Sequence, residues 1–148
     1  MTIWRRTLVV LLLASAASAA LAVDYRSVSV PAAILYDSPS QQGKKLYLIK
    51  AQTPVEVVVR LEGWFKVRDA EGSLAWIESR SLAERRMLVV TAPRGEIRQS
   101  DKPEAPLVAE LDKWVAVEFV EAASPGWAKV RHKDGEAGYI RSTQVWGL

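Results

Sequence analysis

Beyond the first two dozen residues, apolar and polar positions alternate in short runs, and no segment holds a sustained helical period. The clearest alternation comes twice, as GWFKVRDAEGSLAWIESRSL from Gly63 and GWAKVRHKDGEAGYIRSTQV from Gly126. Superposing Trp64 on Trp127 aligns identical Gly, Trp, Lys, Val, Arg, Gly, Ile and Ser residues, and places aromatic residues at both Trp76 and Tyr139. Each copy predicts a β-hairpin, because the alternation breaks at Ala70-Glu71-Gly72 or Lys133-Asp134-Gly135 and then resumes. A three-residue loop needs a left-handed third residue, where glycine costs least. Asp69 then pairs with Ser73, and the register running outward divides the side chains between two faces. Phe65, Val67, Ala75 and Ile77 share one face, and Trp64, Lys66, Arg68, Leu74 and Trp76 the other. In the second copy Ala128, Val130, Gly138 and Ile140 oppose Trp127, Lys129, Arg131 and Tyr139. The first set of each copy is the better core, and the second sets aromatic residues beside cations on the outside.

The repeat extends upstream with a one-residue shift. Residues 49–57 align with 111–119, Trp114 falls on Gln52, and LYDSP from Leu35 aligns with IRQSD from Ile97. Strands are predicted at 25–30, 34–36, 46–49 and 54–61, then at 87–91, 95–98, 107–111 and 114–121, with a hairpin after each group. Residues 79–82 can make a single helical turn, and 142–145 close the second copy. Val57, Val59, Val67, Ile77, Phe119, Val130 and Ile140 are assigned to two cores. Trp114, present in one copy only, suggests an inter-barrel contact, and Trp146 an anchor for the C-terminus. The pairs Lys44-Lys45 and Arg85-Arg86 read as solvated charge. The fold class is therefore all-β, with two small tandem barrels over 23–84 and 85–148.

The first 22 residues form a separate element. Arg5 and Arg6 precede an apolar run from Leu8 and small residues ending in Ala20-Leu21-Ala22, the layout of a secretory signal peptide with a hydrophobic helix and cleavage after Ala22, with Ala19 as the alternative. The expected location is periplasmic or secreted, with no membrane attachment after cleavage. Removing the leader changes the charge balance, since the 20 basic residues become 18 against 17 acidic ones. A near-neutral chain lacks the basic stripe of a nucleic-acid binder. The sequence contains no cysteine, so stability rests on the cores rather than on disulfides.

The order of elements, with LYDSPS as first loop, TPVEVVV as middle strand and GWFKVRDAEGSLAWI as hairpin, resembles the bacterial SH3 domain, or SH3b. The resemblance covers nearly all of the mature chain, twice. Its most specific part is glycine-tryptophan, a lysine-valine two residues on, a turn glycine, and an aromatic followed by isoleucine. Leu35 and Tyr36, and Ile97 and Arg98, stand where that motif usually has asparagine and arginine. The resemblance implies a strongly bent barrel of five to seven strands used for recognition outside the cytoplasm, with peptidoglycan, its peptide stems or an envelope protein as ligand.

Catalysis by this chain is not expected. Thiol chemistry needs a cysteine, and zinc hydrolysis normally takes several ligands, usually with histidine among them, whereas His132 is the only histidine. His132 reads as a solvated turn residue, and the carboxylates flanking the turns, Asp69 with Glu71 and Asp134 with Glu136, as ordinary turn chemistry. No cofactor and no metal are expected, and the chain is expected to be a monomer. The candidate ligand-binding residues are Tyr36, Trp64, Lys66 and Trp76 in the first copy and Trp127, Lys129 and Tyr139 in the second. Aromatic rings with polar edges beside cations suit peptides, sugars and carboxylates. The alternative is an adaptor that recruits or regulates a separate envelope enzyme or assembly.

Overall fold

The computed structural model describes residues 21–148, so all but the last two residues of the expected leader lie outside it. Among the described residues no helix is long and apolar enough to cross a membrane.

Two seven-stranded antiparallel sheets follow one another along the chain. The first comprises β1 (Tyr25–Val28), β2 (Ala32–Tyr36), β3 (Lys45–Lys50), β4 (Pro54–Leu61), β5 (Trp64–Arg68), β6 (Leu74–Glu78) and β7 (Leu82–Ala83), in the order β3-β2-β6-β5-β4-β1-β7. The second repeats that order with β8 (Met87–Val90), β9 (Arg94–Arg98), β10 (Leu107–Asp112), β11 (Ala116–Ala122), β12 (Trp127–Arg131), β13 (Ala137–Arg141) and β14 (Val145–Trp146). Short 3₁₀ turns at Ser79–Ser81 and Ser142–Gln144 lead into β7 and β14. The helical turn expected after the first hairpin is thus present in both copies.

The hairpins have the expected register. Val67 faces Ala75 and Lys66 faces Trp76, while Val130 faces Gly138 and Lys129 faces Tyr139. Each turn closes with the Asp69 or His132 N–H donating across to the Ser73 or Glu136 carbonyl. Gly72 and Gly135 take φ values of +88° and +91°, where a Cβ would be strained. The inward set forms the cores: Leu35, Val55, Val67 and Ile77 are fully buried in the first barrel, and Leu88, Ile97, Val117, Val130 and Ile140 in the second. Each such aliphatic side chain contributes about 1.5–3 kcal/mol on burial.

Val59 is a correction, since it is 39% exposed rather than core. Val57 pairs with Val67 but Val59 pairs with Lys66, so Val58 is an extra residue in a β-bulge. The bulge turns the end of β4 outward. The same bulge recurs between Phe119 and Glu121, and both Val57 and Phe119 pack only partly against their cores.

A second departure lies before β11. Trp114 is not in a strand but in a tight turn at φ +71°, matched by Gln52 at φ +66° in the first copy. Both N–H groups are held alike, Gln52 donating to the Val28 carbonyl and Trp114 to that of Val90.

The barrels meet along β8. All four of its residues are buried, including Met87 and Val89 on the side away from the second core. Gln52 lines one cleft with Met87, and Thr53 lines another with Val89. The Trp146 ring stands edge-on to Tyr25 of the first barrel at 5.2 Å, so it joins the barrels as well as holding the C-terminus through β14. Arg86 is no solvated charge. Its guanidinium lies 5.4 Å from the Tyr25 ring centroid and 5.0 Å from that of Phe119, and its Nη2 donates to the Gly147 carbonyl at 2.7 Å. Arg85 pairs with Glu118.

Candidate functional site

β5, β6 and the end of β2 together carry the outer face of the first hairpin. The register that buries Val67 and Ile77 turns Trp64, Lys66 and Trp76 outward, and Tyr36 enters because its Cα pairs with that of Trp76. The Tyr36 ring meets Trp64 edge-on, with centroids 5.3 Å apart. Lys66 Nζ sits 6.0 Å from the Trp76 ring centroid, within reach of the cation–π attraction. Tyr36 itself is buried and serves as the floor, while Trp64, Lys66 and Trp76 are half-buried. All four sequence-predicted residues of the first copy therefore come together.

Beside this ledge runs a groove of about 390 Å³ lined by Val30, Ala32, Ile34, Tyr36, Glu78 and Arg80 among others. Glu78, the cross-strand partner of Trp64, accepts from Arg80 at 2.6 Å and from Gln41 at 3.2 Å. The groove thus adds one anionic and one cationic group to the aromatic ledge. Sequence reasoning missed both, although the Glu78 position follows from the register. No carboxylate lies within ion-pair distance of Lys66 among the described residues.

The second hairpin assembles the equivalent set differently. Trp127 lies under the Arg141 guanidinium, 5.0 Å from the ring centroid. Lys129 Nζ lies 3.8 Å from Glu121. Arg98, standing where the first copy has Tyr36, pairs with Tyr139 along the backbone, donates to the Ala105 carbonyl at 2.8 Å and binds Glu96 at 2.5 Å. The Trp127, Lys129 and Tyr139 positions share a face, but its cations are engaged within the barrel.

Two further surfaces stand out. β3 is an edge strand with Leu46, Tyr47 and Leu48 exposed, Leu48 by 68%. Tyr47 donates its hydroxyl to Asp69, and burial together with that bond raises its pKa above the ordinary tyrosine value. Trp114, 43% exposed with Lys113 Nζ 4.7 Å from its centroid, lines a cleft of about 310 Å³ between the barrels with Tyr47, Leu48 and Val89. This agrees with the inter-barrel position expected for Trp114.

His132 corrects its expected place at a solvated turn, because its side chain is only 10% exposed. It lines the cleft that also contains Gln52, Arg85, Met87 and Glu118.

The family model described as bacterial SH3 domain matches the chain twice, over residues 29–84 and 92–147. No curated protein matches it. Among solved structures, NlpC2 from Trichomonas vaginalis is 15% identical over 84% of this chain and 48% of that one, at a TM-score of 0.40. NlpC1 from the same organism is 17% identical over 93% and 50%, also at 0.40. An NlpC/P60 family protein from Bacillus cereus is 14% identical over 82% and 55%, at 0.38. The chain spans about half the length of these structures.

Proposed function

We infer the function from one premise: this chain belongs to the bacterial SH3 domain family, whose model covers both of its barrels. We propose that it is an exported recognition module that acts by binding, without chemistry of its own, and that its ligand is peptidoglycan, through the peptide stems. The observation that carries this reading is the ledge of Trp64 edge-on to Tyr36 with Trp76 on the neighbouring strand, and with Lys66 and the Glu78–Arg80 pair at its rim. Peptide stems carry both carboxylates and amines on short aliphatic residues. Rings give such a ligand contact area at small entropic cost, and groups of both charges at the rim orient it. The first barrel is the working one in this proposal. Its lysine is unpaired among the described residues, whereas Lys129 already faces Glu121.

Co-sedimentation of residues 23–148 with purified sacculi tests the proposal, with soluble stem peptide as competitor. Retention that the peptide reverses supports it, and failure to pellet overturns it. The exposed apolar edge strand β3 favours a second reading, an adaptor for another envelope protein. An unpaired edge presents backbone donors and acceptors that an extended segment can join. That reading predicts no affinity for sacculi, and loss of a partner when Leu48 becomes lysine.

A further inference from the structure

The second hairpin turn carries three residues unlike their counterparts in the first. Asp69, Glu71 and Ser73 are replaced by His132, Asp134 and Glu136. In the first turn Asp69 Oδ1 accepts from the N–H groups of Glu71 and Ser73, at 3.0 and 2.9 Å, so the carboxylate caps its own loop. An imidazole cannot repeat that arrangement. The His132 side chain is nine-tenths buried, and its Nδ1 is shielded from solvent with no hydrogen-bond partner among the described residues. Nδ1 instead faces two carboxylate oxygens, Asp134 Oδ2 at 3.3 Å and Glu136 Oε2 at 3.5 Å.

We propose that His132, Asp134 and Glu136 form a binding site for a divalent cation of the zinc class. The three ligand atoms lie within 4.8 Å of one another. Zinc bonds to nitrogen and oxygen are about 2.0–2.2 Å, and a tetrahedron of that size has edges of about 3.4 Å. Both distances from Nδ1 fall at that edge length. They also lie within ion-pair distance of an imidazolium, but neither closes to the roughly 2.7–2.9 Å of a charge-assisted hydrogen bond, and Nδ1 makes no hydrogen bond among the described residues. Among the described residues no lysine or arginine pairs with these carboxylates: Arg85 and Arg131 both turn to Glu118, at 3.1 and 3.6 Å. The register makes the chelate compact, because the His132 N–H bonds the Glu136 carbonyl at 2.7 Å and brings the first and last ligands together across the turn. A solvent molecule would complete the coordination from the exposed Asp134 side. One imidazole with two carboxylates needs only the single histidine, so the composition that argues against a zinc hydrolase does not argue against this site. The ion would fix the tip of the second hairpin beside the seam between the barrels, a structural role.

Isothermal titration of residues 23–148, which contain every strand of both sheets, with zinc chloride tests the site. One equivalent is expected to bind in the micromolar range. His132→Gln and, separately, Asp134→Asn are each expected to weaken binding at least tenfold. Asp134 is exposed, so its variant keeps the test decisive if the histidine variant unfolds. Cobalt(II) should give the intense visible bands of a tetrahedral site in the native protein and lose them in Asp134→Asn. Absence of heat up to millimolar zinc, or binding unchanged in both variants, overturns the proposal.

Discussion

Lys66 and Lys129 occupy the same ladder position in the two barrels, each opposite an aromatic residue, Trp76 or Tyr139. Lys66 meets the ring face and no carboxylate among the described residues, while Lys129 lies beside Glu121. One tryptophan likewise rests on Tyr36, and the other lies under Arg141. Identical backbone registers thus end in different surfaces, because the residues that decide the surface lie outside the shared motif. Tyr36 against Arg98, Val59 against Glu121 and Glu78 against Arg141 are the differences that count. The repeat keeps the scaffold but not the surface: the two faces are equally half-buried, yet the first barrel's lysine has no carboxylate partner among the described residues while the second's lies 3.8 Å from Glu121.

The largest contrast in stability is expected at a position where the two hairpins carry different residues. Gly138 takes the place of Ala75, and a Cβ there would collide with the Arg98 carbonyl oxygen and with Ile97 at 2.7 Å. Gly138→Ala should cost the second barrel about 3 kcal/mol, at the upper end of overpacking effects. Ala75→Gly should cost the first only about 1 kcal/mol, the usual weakening of a strand by glycine. Urea unfolding curves measure both.

Next comes the seam. Arg86→Ala removes the bond to the Gly147 carbonyl and the stack between Tyr25 and Phe119. We expect a loss of about 2 kcal/mol, as for other hydrogen bonds to charged groups, and a wider distribution of intraparticle distances in small-angle scattering. Two separate transitions in the melt would sharpen the comparison by showing each barrel's own stability.

A smaller effect is expected from the lysines. Lys66→Ala should weaken sacculus binding about fivefold, close to 1 kcal/mol for a partly exposed cation–π and ion-pair contact. Lys129→Ala should leave it unchanged, which a binding isotherm for each variant checks.

The smallest contrast concerns pH. Asp101 is held below the ordinary carboxylate range by Ser124, whose side chain and N–H bond it, and Pro39 stands at its position in the first copy. A depressed folded pKa stabilises above the unfolded value of about 4 and loses that contribution as pH falls further. Unfolding midpoints of the native protein and Asp101→Asn should therefore differ slightly at pH 7 and draw together as pH falls below about 4.

The hairpins and their faces were legible because glycine marks each turn and alternation then assigns every side chain. The bulge was not, since a run of valines looks alike at either register. Its only signal was Glu121 aligned with Val59, a charge that a core position would not accept. The seam was hidden for another reason: alternation says which side of a strand is apolar, not what covers it. MLVV, apolar on both faces, was the available sign that β8 is covered twice. The burial of His132 follows from that same seam, and nothing in its local sequence predicts it. Three residues of the ledge were readable through the hairpin register, but Tyr36 joins them through the β2–β6 pairing, and the approach of Arg141 and Glu121 to the counterpart face likewise required the paths of the neighbouring strands.

The most direct test is co-sedimentation with purified sacculi of residues 23–148 carrying Trp64→Ala or Trp127→Ala, each verified as folded by circular dichroism. We predict that Trp127→Ala pellets like the native protein while Trp64→Ala loses about 30-fold in affinity, the scale of a central aromatic contact. Equal retention of both variants, or a loss confined to Trp127→Ala, would contradict the assignment of binding to the open face of the first barrel.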